Sequence, residues 1–155
     1  MTRTLAFPAA APEAAVEYFG AELGFEVDPD DLVQDLEAGR TDGYLIVETR
    51  APEAFAHARI PGAINLSYRD LTAENTKHLD RDLVYVCYCE STVCNAATKG
   101  ALKLAELGFK VKRLSGGITG WIAAGYPVEG DNVETDNVET DKVEGGKAGG
   151  IRCAC

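Results

Sequence analysis

Hydrophobic positions in this chain fall into short unbroken runs that alternate with segments of helical spacing. The runs Tyr44-Leu45-Ile46-Val47 and Leu83-Val84-Tyr85-Val86-Cys87-Tyr88 have the length and branched or aromatic content of buried strands. Weaker strands are predicted at 63–66 and at Lys110-Val111-Lys112-Arg113-Leu114. Between them, a helix is predicted over 12–23, with Pro12 near its start. A second begins at Asp28-Pro29-Asp30-Asp31, an Asp cap with Pro at the first position and acids in the first turn, and ends at Gly39. Shorter helical pieces are expected at 52–56 and 71–78, a longer one from about Asn95 to Leu107, and a last one through Trp121. Short apolar strands alternating with helices predict an α/β domain with a mostly parallel sheet.

A chain of 155 residues with 46% apolar content holds one ordinary domain. A formal charge of −10 argues against nucleic acid or an anionic membrane as the main partner. No apolar run reaches the length of about 18 residues that a membrane span needs. The amino terminus does not read as a signal peptide, so a cytoplasmic location is expected. After Gly130 the composition changes: Asp131-Asn132-Val133-Glu134-Thr135 repeats as Asp136-Asn137-Val138-Glu139-Thr140 and then imperfectly. This acidic stretch with few bulky residues predicts a disordered tether, ending in Cys153-Ala154-Cys155. The expected division is a helical extension at 1–27, the domain at 28–130 and the tail at 131–155.

Five cysteines suit a disulfide framework poorly, and their clustering at Cys87, Cys89 and Cys94 and at the tail tip points to redox, sulfur-transfer or metal chemistry in a reducing compartment. Cys89 follows the apolar run and precedes the loop Glu90-Ser91-Thr92-Val93-Cys94 and the helix from Asn95. A thiol between a strand and a helix faces free N–H groups and the positive end of a helix dipole. Such surroundings lower a thiol pKa from about 8.5 to roughly 3.5–7.5, and the thiolate is the nucleophile.

Four patches in order resemble the rhodanese domains of the sulfurtransferase superfamily. They are Leu45-Ile46-Val47-Glu48-Thr49-Arg50; Ala58-Arg59-Ile60-Pro61-Gly62-Ala63-Ile64-Asn65-Leu66; Val86-Cys87-Tyr88-Cys89 with its loop; and Leu114-Ser115-Gly116-Gly117-Ile118-Thr119-Gly120-Trp121 through Val128. The resemblance covers about Asp28 to Gly130. It implies a three-layer α/β/α fold and sulfur transfer through a persulfide on Cys89, from thiosulfate or a persulfide donor to a thiol or cyanide acceptor. No metal or organic cofactor is implied. Backbone N–H groups of Glu90, Ser91, Thr92, Val93 and Cys94, up to Asn95, are expected to ring an exposed sulfur as an anion nest. Glu48 stands where the family carries Asp, Arg59 where it carries His, and Cys94 where it carries the loop Arg. A loop of this length fits sulfur handling rather than the longer loop of the phosphatase relatives. Without the loop Arg, and with Glu90 beside the thiol, low-molecular-weight or protein persulfides are expected as donors over thiosulfate.

Plainer roles stand beside these. Cys87 reads as core filler. Cys94 reads as a packing residue or as a redox partner of Cys89. Gly116 and Gly117 read as turn residues whose backbone borders the pocket, Trp121 as core or pocket wall, and Arg50 and Arg59 as ion-pair partners at the border. About 23 residues separate Gly130 from Cys153, an r.m.s. reach of about 26 Å against a domain radius of gyration of about 14 Å. Cys153 or Cys155 is therefore expected to relay sulfur from Cys89 or to reduce it. The rivals to an enzyme are a catalytically weak binding or redox-sensing module using Cys89, Cys94 and the tail cysteines, and thiolate metal binding by the same residues.

Overall fold

The computed structural model describes residues 2–131. After a 3₁₀ turn at Arg3–Leu5, the elements run α1 (Pro12–Phe25), β1 (Glu26–Val27), α2 (Pro29–Glu37), β2 (Tyr44–Glu48), α3 (Pro52–His57), β3 (Ile64–Asn65), α4 (Ala73–Thr76), β4 (Val84–Tyr88), α5 (Ala96–Glu106), β5 (Lys110–Leu114) and α6 (Gly117–Ala123). The strands form one sheet in the order β1-β5-β4-β2-β3, every pairing parallel. Helices cover both faces, giving three α/β/α layers.

Local chemistry explains most boundaries. Asp28 caps α2 by accepting from the N–H of Asp30 at 2.8 Å, with Pro29 at the first position and Asp30 and Asp31 in the first turn, where acids favour the helix dipole. At α4 a reciprocal capping box joins Thr72 and Asn75, but only one turn follows, shorter than the helical reading of 71–78. The strand β1 is absent from the hydrophobic pattern. Two residues carry no period, and the segment becomes a strand only because Glu26 and Val27 pair with Arg113 and Leu114.

Alternation along the strands makes two cores. Ile46, Val86, Tyr88 and Leu114 pack with Leu32 and Val33 of α2 and Ile118 and Trp121 of α6. Val47, Tyr85 and Cys87 face the other way, with Ala96, Ala97 and Leu104 of α5. Close approach of α5 to the sheet depends on Gly100, where a Cβ would lie 2.5 Å from Cγ2 of Thr49. By contrast α1 buries no residue and leaves Val16, Tyr18, Phe19, Leu23 and Phe25 exposed. Among the described residues no helix is long and apolar enough to cross a membrane.

Candidate active site

Strands β4 and β5 lie side by side, but the chain leaves them in opposite directions: α5 packs on one face of the sheet and α6 on the other. Such divergence opens a crevice at the carboxyl ends of the strands, the usual binding position in parallel sheets. A cavity of about 540 Å³ lies there. Cys89, Ser91, Thr92, Cys94 and Ala97 line it from the β4–α5 side, and Arg113 through Gly117 from the β5–α6 side. The α1–β1 segment closes it with Tyr18, Glu22, Phe25 and Glu26.

The start of α6 anchors Cys89. The N–H of Ile118 donates to the Cys89 carbonyl and that of Thr119 to the Glu90 carbonyl, both at 2.9 Å. Two glycines allow this approach. Gly116 and Gly117 have φ of +81° and +62°, and a Cβ on Gly117 would lie 2.6 Å from the Cys89 carbonyl oxygen. Gly117→Ala is therefore expected to destabilise the fold by about 2–3 kcal/mol, from left-handed strain plus a backbone clash, and to displace the loop. Chemical denaturation and the rate of Cys89 alkylation check this; wild-type values for both would exclude the tight contact.

The sulfur itself departs from expectation. Cys89 is 3% exposed, not an open sulfur ringed by amides. Its thiol donates to the carbonyl oxygen of Cys94 at 3.2 Å, with that of Ser91 at 3.9 Å. Burial pushes the Cys89 thiol up, the N–H groups of Ala97 and Ser91 draw it down, and the neighbouring Cys94 sulfur raises it further. At Cys94 burial also opposes charge, but the N–H of Ala96, the Cys89 thiol and the N–H of Glu90 outweigh it and bring the pKa below the ordinary thiol range. The expected lowering at Cys89 is thus reversed. The two sulfurs divide the available amides, and the lowering falls on Cys94. Because Cys89 reacts as thiolate, its alkylation by iodoacetamide should keep accelerating as pH rises beyond the ordinary thiol range. Removing the Cys94 charge in Cys94→Ser should move that midpoint to lower pH; an unmoved midpoint would mean that the sulfurs do not interact.

Other predicted residues scatter around this centre. Cys87 lies fully buried, and burial pushes its thiol up to about 12, so it is core. Gly116 and Gly117 border the cavity, whereas Arg50, Arg59 and Trp121 are not among its lining residues. Trp121 is 0% exposed and donates from Nε1 to the Pro127 carbonyl at 2.7 Å. Arg59 pairs with Glu129 at 3.7 Å and stacks on Phe55. Arg50 binds Glu48, Glu90 and the carbonyl of Ala58, which ties the loop after β4 to β2. In turn Tyr88 donates to Glu48 and accepts from the N–H of Ile60. Glu90 serves this network, Val93 is fully exposed, and Asn95 occupies the cap of α5 without a side-chain capping bond. Cys153 and Cys155, with the relay expected of them, lie outside the described residues. Among the described residues no three His, Cys, Asp or Glu side chains gather as a metal site.

Arg113 escaped the sequence reading. It reaches the cavity from β5, bonds Glu26 of β1 and donates to Thr98 Oγ1 at 2.7 Å. Glu26 holds its pKa up, opposed by burial, and the Cys89 sulfur adds to the rise. Nothing local marks this residue, because its neighbours come from the β1–β5 and β4–α5 juxtapositions.

A family model described as Rhodanese-like domain matches residues 28–124. An HTH-type transcriptional regulator of Mycobacterium tuberculosis is 33% identical over 99 residues, 64% of this chain and 42% of that protein. This chain therefore spans less than half the length of that curated relative. Among solved structures, a protein from Bacillus halodurans is 38% identical with a TM-score of 0.75, covering 77% of this chain and 87% of that one. The thiosulfate sulfurtransferase of Pseudomonas aeruginosa is 27% identical with a TM-score of 0.59, over 71% of this chain and 20% of that one.

Proposed function

The chain belongs to the family of rhodanese-like domains, and from that premise we propose that it is a sulfurtransferase carrying sulfane sulfur as a persulfide on Cys89. In the first half-reaction the Cys89 thiolate attacks the outer sulfur of a donor persulfide. The donor S–S bond breaks, the donor thiolate leaves, and Cys89 holds the sulfur. An acceptor thiolate then attacks that outer sulfur, forming its own persulfide and returning Cys89 as thiolate. Splitting the transfer in this way is what covalent catalysis supplies. The observation that carries the reading is the position of Cys89 on the wall of a cavity between the diverging ends of β4 and β5.

The same cavity favours a donor of low charge. Arg113 is the one cation among its described lining residues, and it is already bonded to Glu26; Glu22 adds a second carboxylate. Thiosulfate concentrates two negative charges on one small ion and gains less there than an alkyl persulfide, whose reacting group carries at most one. Cys94→Arg, which puts a guanidinium at the loop, is expected to raise thiosulfate turnover about tenfold or more, the scale of one well-placed charge at about 1.4 kcal/mol. Equal thiosulfate turnover in variant and wild type would remove the charge argument.

The reading is tested by incubating the protein with glutathione persulfide, alkylating, and mapping mass. A gain of one sulfur at Cys89 is expected. A second reading, a catalytically weak binding or redox-sensing module, is favoured by the 3% exposure of Cys89 and by the regulator relative. Failure of Cys89 to take sulfur would select it.

A further inference from the structure

Cys94 borders the same cavity as Cys89, and its chemistry complements it. The loop turns back on itself through the bond from the Cys94 N–H to the Ser91 carbonyl at 3.2 Å. That turn brings the Cys89 thiol to 3.2 Å from the Cys94 carbonyl, so the two cysteines meet within one turn of the loop on the wall of one cavity. The two differ in setting. Cys89 lies deep, while Cys94 is only part-buried, with the N–H groups of Ala96 and Glu90 favouring its thiolate. A persulfide on Cys89 would therefore form beside a second thiol that is the more accessible of the pair.

We propose that Cys94 is a resolving thiol: it attacks the inner sulfur of the Cys89 persulfide, closes a Cys89–Cys94 disulfide and expels the outer sulfur as hydrosulfide. This inference rests on the sulfurtransferase reading and adds a second outcome to it. One S–S bond breaks as another forms, so the sulfane sulfur leaves reduced and the two cysteines are left oxidised. An external dithiol, such as a protein with a vicinal thiol pair, then restores both by exchange and leaves as its own disulfide. The co-substrate class is thus a dithiol reductant, and the product is hydrosulfide rather than a persulfidated acceptor. An attacking thiol within the site has an advantage over free monothiols because its approach is already paid in entropy. Cys87 does not compete, being fully buried with its pKa pushed up to about 12.

The test uses the full chain with Cys153→Ser and Cys155→Ser, so that disulfides to the tail cannot form. Under anaerobic conditions, with no thiol added beyond the glutathione that the transfer itself releases, it is reacted once with a limiting amount of glutathione persulfide. Hydrosulfide is trapped with monobromobimane, and the peptide carrying both cysteines is fragmented for mass mapping. Stoichiometric hydrosulfide and a Cys89–Cys94 disulfide are expected. Adding Cys94→Ser should instead leave a persulfide on Cys89 and slow hydrosulfide release about tenfold or more. A persulfide that lasts equally long with and without Cys94 overturns the inference and leaves the sulfurtransferase reading standing. A Cys89 that takes no sulfur in either protein overturns both. The disulfide assay in the Cys94-containing chain decides the matter by itself should the serine variant not fold: a Cys89 persulfide persisting there beside a free Cys94 thiol is the adverse result.

Discussion

Cys89→Ser is expected to lower persulfide loading and transfer by about 10³-fold or more, the scale on which loss of a nucleophile leaves only binding and orientation. The side chain is 3% exposed in one core cluster, so such a change carries a risk of merely unfolding the protein. Serine avoids it: the replacement is nearly isosteric, and its hydroxyl can donate to the Cys94 carbonyl that now accepts from the thiol at 3.2 Å. Stability should therefore shift by no more than about 1 kcal/mol. Single-turnover assays beside thermal melts separate the two effects. Retention of transfer within about tenfold of wild type, with the sulfur adduct on Cys94, would move the nucleophile to that residue; the sharing of charge between the two thiols makes this the sharpest alternative.

Arg50→Met should have the largest effect on stability, about 3–5 kcal/mol, because removing one partner of a buried ion pair leaves the other uncompensated. Glu48 is that partner. Its side chain is 0% exposed and that of Arg50 13%. The Arg50 pKa is raised by the two carboxylates, Glu48 before Glu90, against the opposing effect of burial. The melting temperature should fall by about 10–20 °C. Glu48→Gln in the Arg50→Met background removes the stranded charge while the amide oxygen still accepts from Tyr88, so part of the loss should return. A single-variant loss below about 1 kcal/mol would place this pair among weak surface bridges. Since Arg50 also bonds Glu90 and the carbonyl of Ala58, the same variant should loosen the loop that bears both thiols. Faster alkylation of Cys89 would report it.

The legible part of this molecule was written in local signals. The α2 cap at Asp28-Pro29, the strand leading into Cys89 and the glycine pair at 116–117 act over a few residues, so each could be read before any neighbour was known. The same holds for the alternation of β2 and β4, whose apolar runs announced strands covered on both faces. The family resemblance joined these pieces into one domain, and the strand-to-helix order set Cys89 just past the carboxyl end of β4. Arg50 and Arg59 as ion-pair partners and Cys87 as core were also legible, because a charge or a thiol within such a pattern has few stable environments.

Other features had no local sign. Glu26 and Val27 became a strand through pairing with β5, and the same pairing set Glu26 against Arg113 at the cavity. Trp121 could be core or pocket wall until α6 was packed; it then turned into the first core, with its indole N–H on Pro127. By itself, then, the sequence determined an α/β chain with a thiol at a strand-to-helix junction. The tertiary structure alone decided how deep that thiol lies, which amides serve Cys89 and which serve Cys94, and which cation stands nearby. The physical reason is that propensity, capping and turn geometry act between adjacent residues. Desolvation and charge depend on whatever distant segments the fold brings within a few ångströms.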